Sequence, residues 1–261
     1  MTRRELLAGL AVVPLLQASP GRLRIGIGAF SYHNLSMDAM IAQLTALHVR
    51  EIEMSRGEFM LLSHPRDELF HSAREKLDAA RIQCVSYYSA TIHDDVELAA
   101  AIRFAKLLGA SNITGDATGE ILRRIDRQCT DAGLTFGIHN HYFPGQKFAY
   151  ESADDVLRAL EGLSATVGAT LDVGQMASCG HDTLDAVRKL APRLRLVHLK
   201  DVKASGGEDN VLLGRGVARI PEVMAELRRL RFPGLVAIEY EKEGRVEEAM
   251  RVEVEYARGL A

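Results

Sequence analysis

Thr135-Phe136-Gly137-Ile138-His139-Asn140-His141, Ala169-Thr170-Leu171-Asp172-Val173-Gly174-Gln175 and Arg195-Leu196-Val197-His198-Leu199-Lys200-Asp201 share one pattern. Each is a short apolar run broken near its C-terminal end by side chains that ionise or bind metals. Between the first two, Ser152 with Asp155 makes a capping-box pattern ahead of Val156, Leu157, Leu160 and Leu163. Between the second and third, Asp182 can cap a helix carrying Leu184, Val187 and Leu190, which Pro192 ends. Short apolar runs alternating with capped amphipathic ones mark parallel strands joined by crossover helices.

The alternation continues in both directions. Strands are predicted at residues 24–32, 51–55, 83–90, 111–116, 135–141, 169–175, 195–201 and 235–241. Gly109 closes the helix before the fourth. Pro221 suits the first turn of a helix bearing Val223, Met224, Leu227 and Leu230, and Pro233-Gly234 turns the chain into the last strand. Eight such pairs in 261 residues predict an α/β protein with a single (β/α)8 TIM barrel over residues 21–261. An open doubly wound sheet would place a glycine-rich phosphate turn after its first strand. Here Gly26-Ile27-Gly28 lies inside the strand and lacks the third glycine, so no dinucleotide site is expected.

A composition of 47% hydrophobic and 26% charged residues is that of an ordinary globular chain, and the formal charge of −3 offers no broad positive field for nucleic acid. Cys84, Cys129 and Cys179 are widely spaced with no CxxC pairing, which points to free thiols rather than disulfides or a thiolate zinc site. Residues 1–20 differ from the rest. Thr2-Arg3-Arg4-Glu5-Leu6-Leu7 opens an apolar run to Leu16, followed by Gln17-Ala18-Ser19-Pro20. This reads as a twin-arginine-like export signal, giving a periplasmic or secreted protein without stable membrane insertion after processing; a lid helix on the barrel bottom is the alternative.

Barrel interiors ask for branched apolar side chains, and barrel chemistry sits at the C-terminal ends of the strands. Four consecutive strands instead end on His139, Asp172, His198 and Glu239, the last within Ala237-Ile238-Glu239-Tyr240-Glu241. Adjacent strands lie about 4.8 Å apart, so inward side chains at matching heights can converge on one ion. Two neutral imidazoles and two carboxylates balance one divalent cation and suit Mn²⁺, Co²⁺, Fe²⁺ or Zn²⁺, with Mg²⁺ possible. By strand alternation His141 shares a face with His139, and Lys200 with His198. His33, Glu53, Lys200 and Arg215 are further candidates for binding sugar hydroxyls or an anionic intermediate. His64, His93 and His181 read as surface residues, and Glu241 and Glu243 as a solvated strand exit.

The segments Leu171-Asp172-Val173-Gly174, His198-Leu199-Lys200-Asp201, Gly214-Arg215-Gly216 and Ile238-Glu239 resemble, in this order, the xylose-isomerase-like barrel group, also termed sugar phosphate isomerase/epimerase. The resemblance spans nearly all of residues 23–258. It implies Asp172, His198 and Glu239 as metal ligands, a small sugar or sugar derivative as substrate, and isomerase or epimerase chemistry through an enediolate. The chain departs at the fifth strand, where many members have Glu-Asn-His and this one has His139-Asn140-His141. A coordinated His139 has no lone pair for a substrate proton, leaving Glu239, His141 or Lys200 to act. A dehydratase or 3-keto-glycoside lyase, expelling a β-substituent from the same intermediate, is therefore kept beside isomerisation. A multi-zinc phosphodiester-cutting barrel would need more ligands than the sequence supplies. A non-catalytic carbohydrate-binding barrel is the rival from another class, and a homo-oligomer is compatible with the sequence.

Overall fold

The computed structural model describes residues 22–55, 66–242 and 246–261. The expected export signal, His64 and Glu243 lie outside the described residues. In chain order the strands are β1 (Arg24–Gly28), β2 (Glu51–Ser55), β3 (Gln83–Thr91), β4 (Asn112–Asp116), β5 (Thr135–His139), β6 (Val167–Asp172), β7 (Leu194–Leu199), a short hairpin of β8 (Asp201–Val202) and β9 (Asn210–Val211), and β10 (Leu235–Ile238). All but the hairpin form one closed parallel barrel in the cyclic order β1-β10-β7-β6-β5-β4-β3-β2. Around it lie α1 (Met37–Ala46), α2 (Asp67–Ala79), α3 (Asp95–Leu108), α4 (Gly119–Ala132), α5 (Ala153–Ala159), α6 (Val173–Ser178), α7 (Thr183–Leu190), α8 (Ile220–Arg229) and α9 (Val246–Leu260). Among the described residues no helix is long and apolar enough to cross a membrane.

Strand alternation explains why these residues form a barrel. Ile27, Ile52, Met54, Ile113, Phe136, Ile138, Leu171, Val197, Leu199, Val236 and Ile238 are buried in one continuous core between strands and helices. The opposite faces fill the interior. A small separate cluster of Val85, Leu196, Leu235 and Ala237 packs low in the barrel. Above it runs a hydrogen-bonded polar layer, with Asn112 donating to Ser86 Oγ at 2.9 Å and the Thr114 and Thr170 hydroxyls 3.0 Å apart. Gly26 is a close-packing residue and no phosphate turn, since a Cβ there would stand 2.3 Å from the Glu51 carbonyl oxygen.

The expected caps form. Ser152 and Asp155 make a reciprocal capping box on α5, Asp182 caps α7, Pro221 lies in the first turn of α8, and Gly109 closes α3 in the left-handed conformation at φ 72°. The strand ends need correction. Residues 29–32 leave the sheet in a 3-10 turn, β5 stops at His139, β7 at Leu199 and β10 at Ile238, and Val173 already belongs to α6 because Asp172 is its N-cap. In each case the ladder ends where polar side chains gather at the C-terminal mouth.

Candidate metal centre

β5 and β6 are tied at their ends by Asn140, the middle residue of His139-Asn140-His141. Its Nδ2 donates to the Asp172 carbonyl at 3.0 Å, and the Asp172 amide donates to its Oδ1 at 2.9 Å. That pair fixes the height of Asp172 against His139. Asp172 uses Oδ1 to accept from the Gln175 amide at 2.8 Å as the cap of α6. Its Oδ2 is buried and makes no hydrogen bond, with the Lys200 ammonium 3.1 Å away.

His139 Nε2 and His198 Nδ1 lie 3.0 Å apart. One ligand atom each from His139, Asp172 and His198 falls within a mutual 4.8 Å, and all three residues are buried. A buried carboxylate oxygen whose one close partner is the Lys200 ammonium, beside two imidazoles, is a donor set that fits a divalent cation. Glu239 stands slightly aside, with Oε2 3.6 Å from His198 Nδ1 and 3.0 Å from Lys200 Nζ. Lys200 thus sits between Asp172 and Glu239 and reaches Glu241 Oε1 at 2.7 Å. Its stem passes where a side chain at residue 174 would lie, since a Cβ on Gly174 would be 2.7 Å from Lys200 Cγ. This gives the glycine of Leu171-Asp172-Val173-Gly174 a physical reason.

The Asp201 of His198-Leu199-Lys200-Asp201 is structural. Its carboxylate accepts from the amides of Val202, Gly214, Gly216 and Ala218 at 2.9–3.0 Å, winding the glycine loop around itself. A Cβ on Gly216 would fall 2.3 Å from Asp201 Oδ1. The two motifs occur together because one is the cradle of the other. Arg215 is exposed on that loop, away from the residues lining the cavity.

Glu53, expected to face sugar hydroxyls, is only 2% exposed and is hydrogen-bonded through Oε2 to His198 Nε2. It stands behind His198, leaving Nδ1 toward the cluster. A carboxylate that holds the far nitrogen of a ligating histidine fixes its tautomer and orientation. His33 bonds the Phe30 carbonyl through Nδ1 at 2.9 Å and stacks on the Phe30 ring. His141, one residue past the ladder, still joins the group: its Nε2 lies 3.1 Å from His139 Nδ1, 3.4 Å from the Tyr88 hydroxyl and 3.6 Å from Asp116 Oδ2. Tyr88 and Asp116 were not singled out in the sequence. The place of Asp116 at the end of β4 and of Tyr88 toward the C-terminal end of β3 is the signal that could have found them. His93 and His181 are exposed.

Together Tyr88, His139, His141, Gln175, Lys200, Glu239 and Glu241 face a cavity of about 310 Å³ whose mouth is aromatic. Burial, with the charges of His141, His198 and Lys200 adding to it, holds His139 well below the usual histidine range, so it is neutral. Burial likewise lowers His141 against the opposing pull of Asp116 and Asp172. Burial would lower His198 too, but Glu239 and Glu53 outweigh it and raise it to about 9. Burial raises Glu239 above the usual carboxylate range despite Lys200 and His198, while on Lys200 the carboxylates of Asp172, Glu239 and Glu241 overcome burial and hold the ammonium charged.

The raised His198 has a consequence for metal uptake. In the metal-free protein the imidazolium stabilises the fold fully below pH 6.5, and this contribution is lost as pH rises through about 9. A metal held by His198 would take the lone pair of the neutral ring, so its binding would expel that proton. Affinity for Mn²⁺ is expected to rise by about tenfold per pH unit between these limits and then flatten. Calorimetry in buffers of different ionisation enthalpy should read about one proton released. A pH-independent affinity across that window would contradict the assignment of His198 as a ligand.

A model of the family described as xylose isomerase-like TIM barrel matches residues 97–260, a span that holds Asp172, His198 and Glu239. No curated protein matches the chain. Among solved structures, the probable 3-DHS dehydratase AsbF involved in petrobactin synthesis from Bacillus anthracis is similar at 12% identity and TM-score 0.74, covering 89% of this chain and 98% of that one. The IolI protein with a bound zinc atom is similar at 12% identity and TM-score 0.71, over 91% of this chain and 98% of that one. L-ribulose 3-epimerase is similar at 16% identity and TM-score 0.70, over 91% and 96%. At such identities the likeness is one of fold.

Proposed function

The chain belongs to the xylose isomerase-like TIM barrel family, and on that premise we propose that it is a divalent-metal-dependent isomerase or epimerase acting on a sugar by proton abstraction beside a carbonyl. The observation that carries this reading is the buried convergence of His139, Asp172 and His198 beside Glu239 and Lys200 at the mouth of the barrel. His139, Asp172 and His198 would hold the ion, with Glu239 completing the set. When bound, a divalent ion polarises the carbonyl oxygen and offsets negative charge that develops there.

The protein's own groups supply the rest. Glu239 is the base for the C–H through whichever carboxylate oxygen the ion would leave free, and Lys200, 3.0 Å from its Oε2, steadies its anion. His141, neutral and facing the same cavity, is the second proton carrier. Two proton carriers in one cavity allow removal from one face of the sugar carbon and return to another. Zinc in IolI and epimerisation by the ribulose epimerase are properties of proteins with this fold, and they accord with the reading.

Elimination is a second reading, favoured by Tyr88. Its hydroxyl lines the cavity and lies 3.4 Å from His141 Nε2, a position from which it can give a proton to a departing oxygen, although burial, by raising the phenol, makes it a weaker acid. A dehydratase or 3-keto-glycoside lyase would use it so. The deciding experiment is elemental analysis of the purified protein together with solvent-deuterium uptake into a panel of ketoses and 3-keto-glycosides. One divalent ion per chain with deuterium in recovered sugar supports isomerisation, and loss of the substituent at the β-carbon supports elimination. Absence of both metal and exchange would sink the catalytic reading in favour of a carbohydrate-binding barrel.

A further inference from the structure

The mouth of the cavity is not used by metal-assisted proton transfer. Phe30, Tyr142, Phe143 and Phe148 line it together with Gln146. Phe30 and Phe143 are 37% and 45% exposed, and they are two of the five large apolar side chains left exposed among the described residues. Exposing such rings to water is unfavourable, and here they converge on one opening rather than scattering over the surface. They are also backed. Phe30 stacks on His33 with centroids 5.1 Å apart, and Phe148 stacks on His141 at 5.3 Å. The second contact sets one aromatic wall directly against the reacting groups.

Charge narrows what fits there. Among the described residues the cavity lining contains no arginine, and Lys200 is its one lysine. That ammonium is already met by Asp172, Glu239 and Glu241 at 2.7–3.1 Å. Among the described residues lining the cavity, a phosphate on the distal end of a sugar would meet aromatic rings and Glu241 instead of an unpaired cation. A flat, uncharged ring with an apolar face would meet surfaces of its own kind, and a cavity of about 310 Å³ is at the low end of small-molecule sites, so the second ring would extend past it onto the rim.

Resting on the reading of the inner site as a sugar enolisation centre, we propose that the aromatic mouth is a second subsite, taking the flat apolar face of a ring attached to the reacting sugar. The substrate class is then an uncharged glycoside whose reacting sugar carries a ring carbonyl, a keto-glycoside, and not a sugar phosphate. The ring chemistry can come from a second pyranose or from an aryl aglycone, and both present such a face.

Calorimetric titration of the Mn²⁺-loaded protein tests this with the 3-keto forms of methyl glycosides, aryl glycosides and disaccharides, and with ketohexose 6-phosphates. The expected result is that aryl glycosides or disaccharides bind about two- to tenfold tighter than the methyl glycosides, with hexose phosphates weakest; whichever of the two gains identifies the ring. Phe143→Ala should erase that gain while leaving methyl glycoside affinity unchanged, and Phe143→Tyr should restore it. Because Phe143 is nearly half exposed and outside the buried core, neither change threatens the fold. Equal affinity for methyl and ring-bearing glycosides, or tightest binding of the phosphates, would overturn the subsite alone. Failure of every glycoside to bind would overturn the inner sugar site and the subsite with it.

Discussion

Asp172→Asn is expected to lower the affinity for divalent metal by more than about 100-fold, beyond the 10–100-fold typical of outer partners, and to abolish solvent-deuterium exchange, while the barrel stays folded. The choice of asparagine matters. Asp172 has two jobs, because Oδ1 caps α6 through the Gln175 amide and Oδ2 faces the histidines without a hydrogen bond. Asparagine keeps an oxygen for the cap, and the Asn140 clasp uses the backbone of residue 172 and so survives. What disappears is the negative charge and a ligand oxygen. Alanine would remove the cap as well, adding about 1 kcal/mol of lost stability and blurring the result. Lys200 would lose one of its three carboxylates but retain Glu239 and Glu241, so the ammonium stays paired. Metal content by elemental analysis, thermal unfolding and exchange are the three readouts. An unchanged metal stoichiometry and affinity would remove Asp172 from the ligand set. His181→Ala, at an exposed position, should alter none of them.

The barrel was legible because two independent periodicities agree. Outward strand positions such as Ile113, Phe136, Ile138 and Val197 repeat every second residue, and the helices between carry their own caps. His139, Asp172 and His198 were legible for the opposite reason, as polar interruptions at strand ends where packing alone would ask for apolar residues. Partnership was not legible. Glu53 and His198 are 145 residues apart in the chain, and nothing local tells a carboxylate at a strand end whether it meets substrate or the back of a histidine. Tyr88 and Asp116 look in sequence like an ordinary strand aromatic and a strand-terminal turn residue. The reach of Lys200 depends on Gly174 having no side chain, a contact between segments rather than within one. The two-residue strands β8 and β9 fall below the length at which alternation can be read. Their hairpin follows from Asn210, whose side-chain amide donates to the Asp201 carbonyl at 2.7 Å.

Glu53→Ala should have the largest effect on stability, and it acts twice. In the metal-free protein Glu53 and His198 are 2% and 1% exposed and form a buried pair. Burial raises the Glu53 carboxyl, but the His198 charge, with the Thr114 and Ser86 hydroxyls, outweighs it and holds the group below its usual range. Removing one member leaves the other charge buried with less compensation, a change that costs about 3–5 kcal/mol. With a metal bound, the Glu53 contact to His198 Nε2 would leave Nδ1 free as the ligand atom, and losing such an outer carboxylate should weaken metal binding by about 10–100-fold. Glu53→Gln separates the two effects. Its amide oxygen can still accept from Nε2–H, so the ring keeps its orientation and most of the stability should return. The negative charge that helps raise His198 is gone, so the ring gives up its proton at lower pH and the rise in metal affinity should begin to flatten below pH 9. Equal unfolding free energies for wild type and Glu53→Ala, with the same pH profile of metal binding in Glu53→Gln, would show that the pair neither stabilises the barrel nor tunes the ligand. A Glu53→Gln profile displaced toward acid, with near-native unfolding, would assign the carboxylate's charge to proton competition and its oxygen to ring orientation.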